Sequence, residues 1–240
     1  MELHASVLGH RRVAAFVVLG AAVGAWFVVA PDLPGVGLWA AVAIVSGAVL
    51  PATLLLVLVA LPLWRERWLF PAAVVLALAA WGCTAAGFGL AANFAKLWAA
   101  VFAGWAFLRL FEELSWVVLI ALVIPLVDAV SVWRGPTHAI TSRHFEVYTA
   151  VAIAFLVPGG GAAYLGPPDI LFYALFLAAA SRWHLRVVWT WVGMTGMYSL
   201  TIVIANAAGI GGLPALPFLS FGFLAANADL LWRRLRPVQP

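Results

Sequence analysis

The chain has 240 residues, of which 66% are hydrophobic and only 9% are charged, a composition that excludes an ordinary soluble domain and favours an integral membrane protein. Lys and Arg (13 residues) outnumber Asp and Glu (9 residues), and the resulting net charge of +4 is explained by membrane orientation without nucleic-acid binding. The single cysteine, Cys83, excludes an intrachain disulfide and a cysteine-based metal cluster, and we expect no metal or cofactor. Because of its apolar composition, the protein is expected to have the lipid bilayer as its first partner.

Apolar runs of roughly 20 residues can cross a bilayer, and on this basis the sequence predicts an all-α polytopic membrane protein with about eight transmembrane helices. The predicted spans are residues 13–30, 38–63, 68–90, 94–110, 114–133, 167–181, 186–207 and 213–232. Lys96 and Arg109 bracket the short fourth span, and Pro51 predicts that the long second span is tilted or kinked. We divide the chain into an N-terminal four-helix part, residues 1–112, and a second part, residues 113–240.

The orientation of the predicted helices follows from the positions of the basic residues, because short cytoplasmic loops are enriched in Lys and Arg. With eight spans, one side of the membrane holds both termini and most of the arginines: Arg11, Arg12, Arg65, Arg67, Arg109, Arg182, Arg186, Arg233, Arg234 and Arg236. The opposite side holds only Lys96, Arg134 and Arg143. Both termini are therefore predicted to be cytoplasmic.

Two aspartates, Asp128 and Asp169, lie inside apolar stretches. A carboxylate in hydrocarbon costs roughly 2.5–3.5 kcal/mol on insertion scales, so an intramembrane acid suggests a functional site. Asp128 lies six residues before Arg134, or roughly 9 Å of helix. Asp169 lies thirteen residues before Arg182 at the far surface, roughly 20 Å of helix, which leaves it about 10 Å below the near surface. The two carboxyl groups are therefore predicted to lie at the same depth.

A third element, Pro214-Ala215-Leu216-Pro217, opens the last span on the same side of the membrane. Pro214 and Pro217 lack backbone donors, which can leave nearby carbonyls available to an extended peptide. The alternative is that these prolines only mark the start of a helix. Their position predicts one polar site built from three helices.

The paired aspartates would have a defined chemistry. Two neighbouring carboxylates share a proton, so the ionised one can act as general base on water while the protonated one polarises a carbonyl. This is hydrolysis of a peptide bond without a metal or a covalent intermediate. Asp169 follows Gly166-Pro167-Pro168, a typical helix start, so simple helix capping is the alternative for that residue.

The segment 147–155 is rich in β-formers and ends at Pro158-Gly159-Gly160-Gly161. We interpret it as a strand or a re-entrant piece near the site, able to add to an extended substrate by strand pairing. If it crosses the membrane instead, the chain has nine helices and the C-terminus changes sides.

Three segments together resemble the presenilin and signal peptide peptidase family of intramembrane aspartyl proteases, and especially its prokaryotic members. They are Asp128-Ala129-Val130-Ser131-Val132-Trp133 with the following Thr137-His138, Leu165-Gly166-Pro167-Pro168-Asp169-Ile170-Leu171-Phe172-Tyr173, and Pro214-Ala215-Leu216-Pro217. The resemblance covers about Leu114 to Leu231, and the first four spans match only as generic apolar helices.

The resemblance implies a presenilin-like fold in a prokaryotic plasma membrane, with single-span membrane proteins or signal peptides as substrates. Asp128 and Asp169 would be the catalytic pair. The implied substrate-binding residues are Val127, Gly166, Pro214, Ala215, Leu216 and Pro217. In the eight-span arrangement, the helix of Asp128 runs in the sense of signal peptide peptidase.

Two positions depart from the family pattern, since Val127 replaces its usual tyrosine and Pro168 replaces its second glycine. They leave open a catalytically weak or inactive homologue that binds membrane helices. A proton-coupled transporter or channel, with the aspartates as a relay, is the other alternative, although the sequence shows no internal repeat. Gly20-x-x-x-Gly24 permits close helix packing and is compatible with a homo-oligomer.

Overall fold

The computed structural model describes residues 2–134, 145–210 and 213–235, and this part of the chain is mostly helical. In chain order the elements are α1 Glu2–Val29, α2 Leu38–Ile44, α3 Leu50–Ala60, α4 Leu69–Ala85, α5 Gly89–Phe107, α6 Leu114–Arg134, α7 Phe145–Val151, β1 Ile153–Leu156, β2 Ala162–Leu165, α8 Pro167–Arg182, α9 Val187–Ala207 and α10 Leu216–Leu235. The predicted positions Thr137, His138 and Arg143 lie outside the described residues.

Several of these helices can cross a membrane, which confirms the helical class and fits an integral membrane protein. Within the described residues, five segments are long and apolar enough: Gly9–Asp32, Leu38–Arg65, Gly89–Leu110, Leu114–Val132 and Val187–Ala207. Helix α4 is apolar but shorter. It stays a prediction that α4, α8 and α10 also cross the membrane. These three helices would bring the number of crossings to eight.

The second predicted span is irregular close to Pro51, as expected. A π-helical turn, Val45–Val49, joins α2 to α3 directly before this proline. Proline has no N–H with which to continue the helical ladder, so the hydrogen bonding is rearranged in the preceding turn. The hydroxyl of Ser199, in α9, donates to the carbonyl oxygen of Ser46 within that turn at 2.6 Å.

Helix α8 forms the centre of the molecule, with every side chain from Tyr173 to Ala180 fully buried. Its closest neighbour is α5, where Gly104 faces the backbone of Leu171. A Cβ at Gly104 would collide with the Leu171 carbonyl and lie 3.2 Å from the Cβ of Ala174. The absence of a side chain at Gly104 therefore sets how closely α5 approaches the helix that carries Asp169.

Helices α9 and α10 also cross at glycines. A Cβ at Gly222 would lie 2.7 Å from the carbonyl oxygen of Gly193, and one at Gly193 would lie 2.8 Å from that of Gly222. Helix α6 packs mainly on α10. Its buried side chains, Leu114, Val117 and Ala121, all belong to its first half, and none of the side chains at 122–132 is buried.

The segment before Asp169 folds as a short helix and a hairpin. Strand β1 pairs antiparallel with β2 in the register Ile153↔Leu165 to Leu156↔Ala162. The strand interpretation is thus confirmed over 153–155 and wrong over 147–151, where α7 forms instead, and the alternative of a re-entrant piece stays a prediction. Lys96 donates to the carbonyls of Thr149 and Ala152, so a tertiary cation stabilises the C-terminal end of this helix against its β propensity. Within residues 145–165, which the structure describes, neither α7 nor the hairpin is long enough to cross a membrane.

Candidate active site

The structure brings the predicted Asp128 and the start of α10 into contact. The backbone N–H of Leu216 donates to Oδ2 of Asp128 at 3.0 Å, across 88 residues of sequence. Leu216 is the first residue of α10, where N–H groups lack helical partners and the helix dipole favours a negative charge. This contact joins the first and third of the predicted motifs.

Asp169 lies in the first turn of α8, directly after β2. Its Oδ2 accepts a hydrogen bond from the backbone N–H of Gly166 at 2.9 Å, so the predicted capping does occur. The bond uses one of the two carboxyl oxygens. A Cβ at Gly166 would lie 3.3 Å from the same Oδ2, and glycine therefore relieves crowding at the carboxyl group.

The two carboxyl groups are close enough to interact electrostatically. Both side chains are half-buried, in contrast to the fully buried residues that follow Asp169 in α8. An acid pair with partial access can bind a water molecule, whereas one sealed in the core could not. The arrangement is therefore chemically able to activate water.

The remaining predicted site residues occupy different environments. Pro214, Ala215 and Leu216 are buried, and Pro217 is half-buried at the start of α10. Pro217 also occupies the helix-start position of the alternative interpretation. Val127 is 55% exposed on the surface of α6, beside Asp128. Pro168 is exposed in the first turn of α8, where its missing N–H leaves no helical bond unmade.

Two buried tyrosines, Tyr173 and Tyr198, lie beside the helical turn that carries Asp169. Neither belongs to the site predicted from the sequence. The hydroxyl of Tyr198 donates to the backbone carbonyl of Asp169 at 2.7 Å. Its ring stacks on Tyr173, with centroids 6.0 Å apart, and the Tyr173 hydroxyl lies 2.9 Å from Oγ1 of Thr195. These contacts fix the first turn of α8 to α9.

Tyr148, in α7, lies near enough to both aspartates to interact with their charges. Burial, together with the charges of Asp169 and Asp128, raises the pKa of Tyr148 to about 12. Its phenol is therefore protonated at neutral pH. The ring packs edge to face on Tyr164 in β2, with centroids 6.3 Å apart. Tyr148, like Tyr198, was missed from sequence.

The distribution of tyrosines along the sequence could have indicated Tyr148 and Tyr198. The chain has only four tyrosines, and all of them, Tyr148, Tyr164, Tyr173 and Tyr198, fall in the 51 residues around Asp169. Phenols combine an apolar ring with a hydrogen-bonding tip, which suits a polar site inside a membrane protein.

Replacing Tyr198 with Phe is expected to keep the ring stack and remove only the hydrogen bond to Asp169. The loss is about 0.5–1.5 kcal/mol of stability, the usual net value of a buried hydrogen bond. Thermal unfolding in detergent measures it. Tyr173→Phe is the matched control, because its hydroxyl contacts Thr195 and not Asp169. Equal rates of hydrogen exchange in the first turn of α8 in the two variants would contradict a role of Tyr198 in holding Asp169.

Within the described residues, no group of three or more His, Cys, Asp or Glu side chains is arranged to hold a metal ion. Comparison of the chain with protein-family models, curated proteins and solved structures gives no match.

Proposed function

We propose that this protein is an intramembrane aspartyl endopeptidase with a presenilin-like fold and eight membrane crossings. The single observation that carries the proposal is the meeting of three separate motifs. Asp128 accepts a hydrogen bond from Leu216 of the Pro-Ala-Leu-Pro segment, and its charge acts on Asp169. Helix capping accounts for the hydrogen bond between Asp169 and the N–H of Gly166. It does not account for the presence of a second carboxyl group, that of Asp128, near Asp169.

The proposed reaction needs only the two acids and water. The ionised carboxylate removes a proton from water as the water oxygen adds to the scissile carbonyl carbon. The protonated carboxyl group gives its proton to the carbonyl oxygen. Collapse of the resulting gem-diol breaks the C–N bond as a proton passes to the leaving nitrogen, and a carboxylic acid and an amine are released.

A membrane helix must unwind before cleavage, because its scissile carbonyl is hydrogen-bonded within the helix. Strand β2 ends at Leu165, four residues before Asp169, and provides extended backbone beside the acids. Pairing of an unwound substrate with this hairpin would present its peptide bonds in extended form. Non-helical backbone at this depth is tolerable because protein surrounds it.

Substrates of the proposed enzyme are single-span membrane proteins or signal-peptide remnants. With eight crossings and cytoplasmic termini, α6 runs from the cytoplasm outward, and the site lies nearer the exterior surface. This orientation suits substrates whose N-terminus is cytoplasmic.

The test is cleavage of a labelled single-span reporter by the purified protein in liposomes. We expect the wild type to cut the reporter, and we expect Asp169→Asn and a transition-state-mimicking aspartyl-protease inhibitor to stop the cut. Proton flux across the same liposomes is measured in parallel. Cleavage that persists in Asp169→Asn would overturn the proposal. Asp169-dependent proton flux without cleavage would favour the transporter, and binding of the reporter without either would favour an inactive homologue.

A further inference from the structure

The outer edge of β1 is occupied by side chains from two N-terminal helices. Nε1 of Trp26, in α1, donates to the carbonyl of Leu156 at 2.9 Å. Asn93, in α5, binds both backbone groups of Ala154: the Ala154 N–H donates to its Oδ1 at 2.7 Å, and its Nδ2 donates to the Ala154 carbonyl at 3.0 Å. The side chains of Trp26, Asn93 and Lys96 are called the edge clamp below.

Lys96 completes the edge clamp one helical turn after Asn93. Its Nζ lies 3.4 Å from the carbonyl oxygen of Ala152. Lys96 is the only lysine of the chain and lies seven residues into α5, roughly 10 Å along the helix from Gly89. An ammonium group so placed in an apolar helix is costly, which points to a specific use.

The bound carbonyls belong to alternate residues, Ala152, Ala154 and Leu156. Alternate residues of a strand direct their backbone groups to the same edge, so the clamp follows the period of two of an extended chain. All four residues of β1 are in register with β2, and the intervening residues Ile153 and Phe155 direct their backbone groups toward it. Asn93 makes the two bonds that a residue of a neighbouring strand would make.

A slip of β1 by one residue would turn the clamped groups toward β2 and break these bonds. The register of β1 fixes that of β2 through the pair Ile153↔Leu165. The next residue, Gly166, donates its N–H to Asp169. Because the chain is continuous from the clamped strand to the acid, the edge clamp sets the position of β2 relative to Asp169.

We propose that the edge clamp determines specificity, by holding the hairpin in the one register that presents a particular substrate bond to the acids. The inference rests on the proposed protease function. With the β1 edge taken by Trp26, Asn93 and Lys96, an extended peptide joins the sheet along β2. The three side chains are positioning residues and do not touch the reacting atoms.

The first test compares the products of wild type and Asn93→Leu on the liposome reporter by mass spectrometry. Loss of the amide frees the hairpin to slip, so we expect several adjacent cleavage sites and on the order of tenfold less product at the wild-type bond. Trp26→Phe and Lys96→Met each remove one donor and should spread the cleavage sites less. Asn206→Leu is the matched control, because the Asn206 amide donates to Ile202 of its own helix.

Hydrogen exchange over residues 153–165 supplies a measurement that does not depend on proteolysis. We expect exchange there to be on the order of tenfold faster in Asn93→Leu than in wild type or Asn206→Leu. Unchanged exchange overturns the edge clamp itself. Faster exchange in Asn93→Leu with an unchanged cleavage site overturns the role of the edge clamp in specificity. A wild type that cleaves nothing overturns the proposed function, and the exchange result still tests the edge clamp. If Asn93→Leu fails to fold, the same two measurements on Trp26→Phe decide.

Discussion

Replacing Asp128 with Asn is expected to reduce reporter cleavage about 10²–10⁴-fold, the usual range for loss of a general acid or base. The amide oxygen of Asn can still accept the N–H of Leu216, so the start of α10 should stay in place. What is lost is the ionisable group and its interaction with Asp169. Initial rates of cleavage in liposomes measure the effect, and thermal unfolding should be nearly unchanged.

Leu216→Pro tests the hydrogen bond between Leu216 and Asp128 by changing the donor instead of the acceptor. It keeps both acids but deletes the N–H that donates to Asp128, and a proline is tolerated at the first position of a helix. We expect reduced cleavage with both carboxyl groups intact, because Asp128 then loses its link to α10. Full activity in this variant would show that the contact does not place Asp128 for the reaction.

Gly104→Val is expected to have the largest effect on folding. Overpacking a core commonly costs about 1–3 kcal/mol, and here the added atoms meet backbone, which cannot move aside as a side chain can. We expect a lower unfolding temperature in detergent, followed through the reactivity of the single thiol, Cys83. Because α5 presses on the helix of Asp169, cleavage should fall as well.

The matched control for Gly104→Val is Gly196→Val. Gly196 is also inside a helix, α9, but a Cβ there would meet no atom within 4 Å. Its substitution should leave the unfolding temperature nearly unchanged. A similar loss in both variants would mean that the close approach of α5 to α8 is not what makes position 104 sensitive.

Helix positions could be predicted largely from hydropathy, because long apolar runs identify buried or membrane-facing helices directly. The spans predicted at 114–133 and 186–207 correspond to α6 and α9. The fourth predicted span, 94–110, begins five residues later than α5, which starts at Gly89. Lys96 lies inside this helix, where its ammonium group donates to the carbonyls of Thr149 and Ala152.

The candidate site was only partly accessible from sequence. Charge within apolar runs and helical rise placed Asp128, Asp169 and Pro214–Pro217 in one layer, and the Leu216 contact agrees with that placement. The contacts that support the site were not predictable. Asn93 and Ala154 are 61 residues apart, and Trp26 and Leu156 are 130 apart, and no local pattern encodes such pairs.

The partial burial of α6 implies that the two aspartates belong to regions of unequal local stability. Asp169 stands on the most buried helix, whereas none of the side chains at 122–132 of α6, Asp128 among them, is buried. In a bilayer these side chains face lipid and the backbone keeps its helical hydrogen bonds, so this half of α6 can shift as an intact helix with little loss of packing against α8. For the proposed protease, such a shift of α6 changes the distance between the two acids, and a peptide packed against α6 would hold them together.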